Sequence, residues 1–178
     1  FLDKNSKIKN RSIAADAIVT EKKRFPIAVL TADCVPILLF DKKKKIIAAI
    51  HAGWKSAFKG IIDKVIKFML KKGCECKNIT VGIGPSISKK NYNVKQDFKN
   101  KFIKKHKKNK IFFETRNEII YFDLPNYVKS QLKLNKISKI DTISIDTHDK
   151  KNNFFSARRS LRLKHDDYGR NISIIVIN

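Results

Sequence analysis

Apolar residues form several runs that polar and charged residues interrupt, and the longest runs predict β-strands. Residues 27–40, "IAVLTADCVPILLF", have the pattern of one buried strand, or of two strands broken near Pro36. Residues 45–51, "KIIAAIH", and residues 78–84, "NITVGIG", have the length of further buried strands. We expect the remaining strands in "EIIYFDLP" (118–125), "DTISID" (141–146) and "NISIIVI" (171–177).

A spacing of about 3.6 residues between apolar side chains predicts an amphipathic helix over residues 55–72. Gly73 follows where a helix commonly stops. Residues 95–106 predict a second helix with a polar face. Asp123 has a side chain suited to an N-cap, which predicts a third helix that carries a proline in its first turn.

The order of these elements predicts one domain over residues 1–178. The chain has neither an internal repeat nor a linker-like stretch, and its length suits a single core. Strands dominate, with two or three helices between them, which indicates an α+β fold: a mixed sheet sandwich with flanking helices. No apolar run is long enough to span a membrane, so we expect no membrane partner.

Charge and cysteine content narrow the class of protein further. The 178 residues carry 40 basic and 16 acidic side chains, a net charge of +24. This balance fits a nucleic-acid binder, an enzyme for an anionic substrate, or compositional drift in a lysine-rich chain. The three cysteines suit a reducing cytoplasm rather than a disulfide scaffold. We expect Cys74 and Cys76 to be solvated thiols on a loop.

Two candidate site residues emerge from a predicted hairpin. If residues 41–44 form a four-residue loop, Phe40 faces Lys45 and Cys34 falls opposite His51. Opposed side chains have Cβ atoms about 4.5–5.5 Å apart, a separation at which both could hold one zinc ion or form a nucleophile–base pair. Alternatively, Cys34 is a small apolar core residue. A bulge at Pro36 would shift the register by one residue.

Five motifs in order resemble one family, the YfiH-type purine nucleoside phosphorylases, long labelled multicopper polyphenol oxidases or laccases. They are "AADAIVT" (14–20), "TADCVPILLFD" (31–41), "AAIHAGWKSAFKGI" (48–61), "GIGPSIS" (82–88), and "FFSARRS" with "YGRNIS" (154–173). The resemblance covers essentially the whole chain. It implies an α+β sandwich similar to cysteine-hydrolase-like domains.

The resemblance also implies a site of one cysteine and two histidines that commonly holds zinc. Cys34 matches the cysteine of the "ADC" motif and His51 the histidine of the "HAGW" motif. The second histidine belongs to a motif upstream of residue 14, where this sequence has none. We therefore expect an N-terminal segment, with the third ligand, to be missing upstream of Phe1. The other histidines, His106, His148 and His165, do not replace it by their sequence context.

The activity that the resemblance implies is phosphorolysis of adenosine, inosine or methylthioadenosine to a free base and ribose 1-phosphate. Adenosine deamination is a possible side activity, with Asp33 as its candidate acid–base group. In phosphorolysis, Gly84 of the "GIGPS" loop could offer a backbone N–H to the substrate. Arg158 or Arg159 could clamp phosphate, although a surface salt bridge explains such an arginine pair equally well.

Two other functions compete with this interpretation. A copper-dependent polyphenol oxidase would need many histidines, and the chain has 4. A basic nucleic-acid-binding module would need lysines and arginines on one face together with aromatic rings that stack on bases. Many of the phenylalanines fall in core-like strands, so we expect purine nucleoside and phosphate, rather than nucleic acid, to be the partners.

Overall fold

The chain folds around one central sheet, in a computed structural model that describes residues 15–165 and 168–178. The strands are β1 (Ala17–Thr20), β2 (Ile27–Thr31), β3 (Val35–Asp41), β4 (Ile46–Ala52), β5 (Ile79–Ile83), β6 (Asn93–Val94), β7 (Phe113–Arg116), β8 (Ile119–Phe122), β9 (Lys139–Thr142) and β10 (Asn171–Ile175). The helices are α1 (Trp54–Phe58), α2 (Ile61–Lys71), α3 (Gln96–Lys105), α4 (Leu124–Leu134) and α5 (Ala157–Arg162).

In the described residues, three sheets and the helices form the layers. The central sheet has the strand order β1-β4-β3-β5-β9, and only the β5–β9 pair is parallel. Strands β10 and β2 form a separate antiparallel ribbon, and β6, β8 and β7 form a third small sheet. The predicted α+β class, with mixed sheets and flanking helices, is therefore confirmed.

Strand β4 is buried on both of its faces. Its residues Ala48 and Ile50 belong to the main core, which the helices cover. Ile47 and Ala49, which alternate with them, pack in a second core with Ile27 of the ribbon. Successive side chains of a strand point to opposite faces, so one apolar run supplies both cores.

The hairpin of β3 and β4 differs from the predicted one by a single residue on each strand. Its loop is residues 42–45, and Pro36 rather than Cys34 lies opposite His51. The reason is Asp41, which remains in the strand with a fully buried side chain. Its Oδ1 accepts hydrogen bonds from the amides of Lys43 (2.9 Å) and Lys44 (2.8 Å), so the carboxylate itself closes the turn.

The helix predicted over residues 55–72 is two helices, α1 and α2. Gly60 separates them in the left-handed conformation, with φ of 79°, a backbone shape that glycine adopts without strain. The predicted stop at Gly73 is confirmed, with φ of 83°. The N-cap at Asp123 is also confirmed, since its side chain accepts from the amide of Asn126 at 3.1 Å.

Helix α5 was not predicted. It has six residues and none of them is buried, so its sequence lacks the apolar stripe by which longer helices are recognised. Ser156 caps it by accepting from the amide of Arg159 at 3.1 Å. The predicted strand over 141–146 is also shorter than expected, because β9 ends at Thr142.

The two cysteines of the "CEC" motif are not the solvated thiols that we expected. Cys74 is 5% exposed, and its thiol hydrogen-bonds to the Asp41 carboxylate. Burial, together with the charge of Asp41, raises the pKa of the Cys74 thiol to about 12. Cys76 is half-buried and donates to the carbonyl of Asn135 at 3.3 Å. Within residues 15–165 and 168–178, no helix has the length and apolar character needed to cross a bilayer.

Replacing Asp41 by alanine should destabilise the fold, because its carboxylate also accepts from the amide of Glu75 at 3.2 Å and ties the hairpin to the segment after α2. We expect Asp41→Ala to lower the free energy of unfolding by about 2–4 kcal/mol, measured by urea denaturation. Asp63→Ala, which removes an exposed ion pair with Lys67 and an acidic side chain from the first turn of α2, should cost no more than about 1 kcal/mol. Equal losses in the two variants would contradict this role of Asp41.

Candidate active site

Cys34 lies in the short loop between β2 and β3, where the chain enters the central sheet. The residue is half-buried. Burial, and then the carboxylates of Asp33 and Asp16, raise the pKa of the Cys34 thiol to about 11. Because a thiol with so high a pKa is protonated at neutral pH, it becomes a thiolate only if a cation offsets those charges.

His51 approaches the same place from the end of β4. Its backbone amide donates to the carbonyl of Asp16 at 2.8 Å, and its Nδ1 lies 3.7 Å from Oδ1 of that residue. A Cβ atom added at Gly53 would lie 3.1 Å from Sγ of Cys34 and 3.9 Å from Nε2 of His51. The two predicted residues therefore border one small space, although they are diagonal rather than direct partners across the hairpin.

Asp33 fixes the loop that carries Cys34. It is 8% exposed, with φ of 85°, and it lies in the loop between β2 and β3. Its carboxylate accepts from Oγ1 of Thr147 at 2.8 Å and from the amide of Arg158 at 2.7 Å. Its carbonyl accepts from the amide of Ile87 at 3.0 Å. Asp33 thus joins three distant segments at the site.

Arg158 is brought to the site by that bond from its amide to Asp33. Its guanidinium carbon lies 5.2 Å from the centroid of the Tyr92 ring. Nη1 donates to the carbonyl and to Oδ1 of Asn93, at 3.2 and 3.1 Å. Burial raises the pKa of the Tyr92 hydroxyl, and the neighbouring Cys34 adds to the effect. Tyr92 and Asn93 were not predicted, because the polar stretch around them has no motif.

Arg159 does not fulfil its predicted role as a phosphate clamp. Its guanidinium donates to three backbone carbonyls, those of Thr147 (2.9 Å), His148 (3.0 Å) and Phe154. Through these contacts Arg159 holds the loop that precedes α5 in place. Neither Arg158 nor Arg159 is in a salt bridge with any of the described residues, so the surface-pair alternative is not supported either.

Gly84 also differs from its prediction. Its N–H donates to the carbonyl of Pro36 at 3.0 Å and is therefore not free to bind an anion. A Cβ at this position would lie 2.9 Å from Cγ of Pro36, so glycine is required by the close approach of the two chains. The amide of Ser86 is committed as well, to the carbonyl of Ile145 at 3.2 Å.

A cleft of about 530 Å³ lies beside the site, between the segments that follow β5 and β9. Its wall includes Gly84 but not Cys34 or His51. Asp146 organises it, since one carboxylate oxygen accepts from the Asn91 side chain at 2.7 Å and the other accepts from the His148 amide at 2.9 Å. Asn91 of the cleft wall directly precedes Tyr92, which is a neighbour of Cys34. The cleft and the candidate site are therefore joined by this segment.

The remaining histidines do not complete a metal centre. His106 and His165 are exposed, and Nε2 of His148 lies 3.5 Å from a guanidinium nitrogen of Arg162. In the described part of the chain, no three histidine, cysteine, aspartate or glutamate residues are grouped so that they could hold a metal ion. Cys34 and His51 are donors of the kinds that zinc prefers. They account for two of the three ligands that the resemblance implies, and the third falls outside the described residues.

This fold and site place the chain in a known family. A model of the family described as multi-copper polyphenol oxidoreductase laccase matches residues 2–178. The chain belongs to that family, which confirms the resemblance seen in its five motifs.

Named relatives support the same assignment. The chain is 36% identical over 165 residues to a purine nucleoside phosphorylase of Rickettsia conorii, an alignment that covers 92% of this chain and 68% of the relative. The crystal structure of the YfiH protein of Bacillus licheniformis has a TM-score of 0.83 and 28% identity, over 93% of this chain and 62% of that one. YlmD of Geobacillus stearothermophilus has the same fold, with a TM-score of 0.81 and 22% identity over the same shares of the two chains. This chain thus spans about two thirds of the length of these proteins.

The hydrogen bonds to Asp146 should make the stability of this region depend on pH. Burial would raise the pKa of its carboxyl, but hydrogen bonds from Ser88, Asn91 and the His148 amide hold the pKa below its usual range. The stabilisation is therefore present above the unfolded pKa of about 4 and is lost as the pH falls through the folded value. We expect Asp146→Asn to be less stable at pH 7, and this deficit to shrink as the pH falls to 3. A difference in the free energy of unfolding between the two proteins that stays constant from pH 7 to pH 3 would contradict the expectation.

Proposed function

We propose that this chain carries the catalytic site of a purine nucleoside phosphorylase, with inosine, adenosine and methylthioadenosine as candidate substrates. The observation that carries the proposal is the bond from the Arg158 amide to Asp33. It places a guanidinium and the Tyr92 ring beside the loop of Cys34. The relative from Rickettsia conorii, which is named for this activity, supports it.

Phosphorolysis requires that phosphate be held near the ribose and that the departing purine gain a proton. A phosphate oxygen forms a bond to C1′ of the ribose while the C1′–N9 bond breaks, and the bonding electron pair leaves with the purine. Arg158 provides a delocalised cation with several N–H donors for the phosphate. The departing purine must also gain a proton, which solvent supplies in this proposal, because Nε2 of His51 faces the space assigned to zinc below.

Zinc is part of the proposal, with Cys34 and His51 as two of its ligands. The small space beside Gly53 suits it, because Sγ of Cys34 and Nε2 of His51 both border that space. The carboxylate of Asp16 lies on the Nδ1 side of His51, at 3.7 Å, which is too long for a direct hydrogen bond but is the side on which carboxylates commonly orient a histidine ligand. A bound zinc ion would act as a Lewis acid and would keep the Cys34 thiol ionised.

The competing functions receive less support from the structure. Both carboxylate oxygens of Asp33 are already hydrogen-bonded, so Asp33 is poorly placed for the acid–base role that adenosine deamination requires. Copper oxidase chemistry would need several grouped histidines, and among the described residues none of His106, His148 and His165 joins His51 in a set of three metal ligands. For nucleic acid, Trp54 and Phe58 are two of the described aromatic rings that lie beside lysines, and the ammonium of Lys101 lies over both, at 5.5 and 5.3 Å. Bases would have to displace it in order to stack.

The first test is the release of hypoxanthine from inosine by the full-length protein, with and without phosphate. We expect turnover that requires phosphate, and we expect Cys34→Ala to reduce it by about 100-fold or more, since removal of a ligand or its support costs at least 10–100-fold. Cys76→Ala is the matched control, and its turnover should stay within about twofold of the unaltered protein. The Cys76 thiol bonds the carbonyl of Asn135, which is not part of the site. Full activity in Cys34→Ala, or release that does not need phosphate, would contradict the proposal.

A second test uses Gly53, whose missing side chain leaves the space between Cys34 and His51 open. Its φ of −70° suits any residue, so Gly53→Ala should change the free energy of unfolding by less than about 1 kcal/mol. The added methyl would press on Sγ of Cys34. We therefore expect zinc retention after dialysis, and inosine turnover, to fall by about tenfold. Unchanged zinc content and turnover would show that this space is not used.

A further inference from the structure

Two arginine side chains converge on one oxygen atom at the edge of the site. Nη1 of Arg158 and Nη2 of Arg162 each lie 3.1 Å from Oδ1 of Asn93. The two arginines are four residues apart on α5, so their side chains lie on the same face of that helix. Arg158 is half-buried, whereas Arg162 is exposed and lies one turn further along.

This pair of charges has no anionic partner in the described part of the chain. Among the described residues, the guanidinium of Arg158 donates to the two oxygens of Asn93 alone. That of Arg162 donates to Oδ1 of Asn93 and lies 3.5 Å from Nε2 of His148. Burial, and then the charge of Arg162, lower the pKa of His148, so this ring is neutral at neutral pH and can accept from the arginine. Two cations that share neutral acceptors repel each other, and an anion between them would relieve the repulsion.

The position of the pair connects it to the candidate active site. The amide of Arg158 is bound to Asp33, the residue before Cys34, and its guanidinium lies over Tyr92. Arg162 lies one helical turn further along α5 and is exposed, so the positive charge of the pair reaches from half-buried Arg158 to solvent. An anion that enters from solvent would meet Arg162 first and would then be shared with Arg158.

We propose that Arg158 and Arg162 form a two-arginine fork that binds a phosphate dianion, with Arg162 determining the affinity for phosphate. The proposal rests on the proposed phosphorylase function and identifies the residues that hold its second substrate. Two planar guanidinium groups offer paired N–H donors that match the oxygens of a phosphate group. Asn93 holds the fork in place between binding events. The same chemistry would bind inorganic phosphate or the phosphate of a nucleoside monophosphate.

Direct binding tests the fork without requiring turnover. In calorimetric titrations of the full-length protein with inorganic phosphate, we expect Arg162→Gln to weaken binding about tenfold, since a hydrogen bond to a charged group is worth at least that factor. Arg162→Lys, which keeps the charge but loses the paired donors, should show an intermediate loss. Arg24→Gln is the control for net charge. Arg24 lies beside the β3–β4 turn, at the far end of the hairpin from Cys34, and this variant should bind phosphate as the unaltered protein does.

Parallel titrations with adenosine 5′-monophosphate and adenosine identify the source of the phosphate. If Arg162→Gln loses affinity for inorganic phosphate, the fork binds the free ion. If only the affinity for the monophosphate falls, the fork binds a nucleotide. Equal affinities of the unaltered protein and Arg162→Gln for both phosphates would overturn the inference.

Kinetics separate the inference from the proposed function. If inosine is turned over, Arg162→Gln should raise the KM for phosphate about tenfold and leave kcat and the KM for inosine unchanged. A change in the KM for inosine alone would overturn the fork while leaving the phosphorylase proposal intact. If inosine is not turned over, the titrations still decide the fork independently.

Discussion

The antiparallel pairing of β3 with β4 is the constraint on which the rest of the molecule depends. These strands lie at the middle of the central sheet, and their side chains supply both the core under the helices and the core under the β2–β10 ribbon. Since a slip of one residue would exchange the two faces, the register must be fixed. Asp41 fixes it at the turn, and the loop of Cys34 and the end of β4 then meet at the opposite end. The β3–β4 turn therefore determines which residues meet at the candidate site.

Much of the central sheet could be predicted from the sequence because its strands are long apolar runs with clear boundaries. The neighbourhood of Cys34 and His51 could be predicted for the same reason. The register could not, because a charged residue at the end of a run is normally placed in the loop. Asp41 is buried instead, with backbone amides and the Cys74 thiol around its carboxylate. Similarly, the helical spacing of apolar residues continues without interruption over residues 55–72, so it did not indicate that Gly60 divides the helix.

The rest of the site depends on contacts between residues that are far apart in the chain. Arg158 and Arg159 are adjacent and chemically identical, yet α5 turns one toward Tyr92 and the other toward carbonyls of its own loop. Composition and spacing do not distinguish them. Tyr92 and Asn93 come from a polar segment without a motif, and only the folded chain brings them to Arg158. The predicted histidine upstream of Phe1 stays a prediction.

The ribbon of β2 and β10 joins strands from opposite ends of the described chain, and this affects how the protein is made. A ribosome delivers β2, β3 and β4 long before β10. Until β10 emerges, Ile27 and Val29 lack the strand that completes their layer over β4. Contacts of such long sequence separation form slowly, and apolar surface that waits for them favours aggregation. During synthesis, this sheet face is therefore where a chaperone would act.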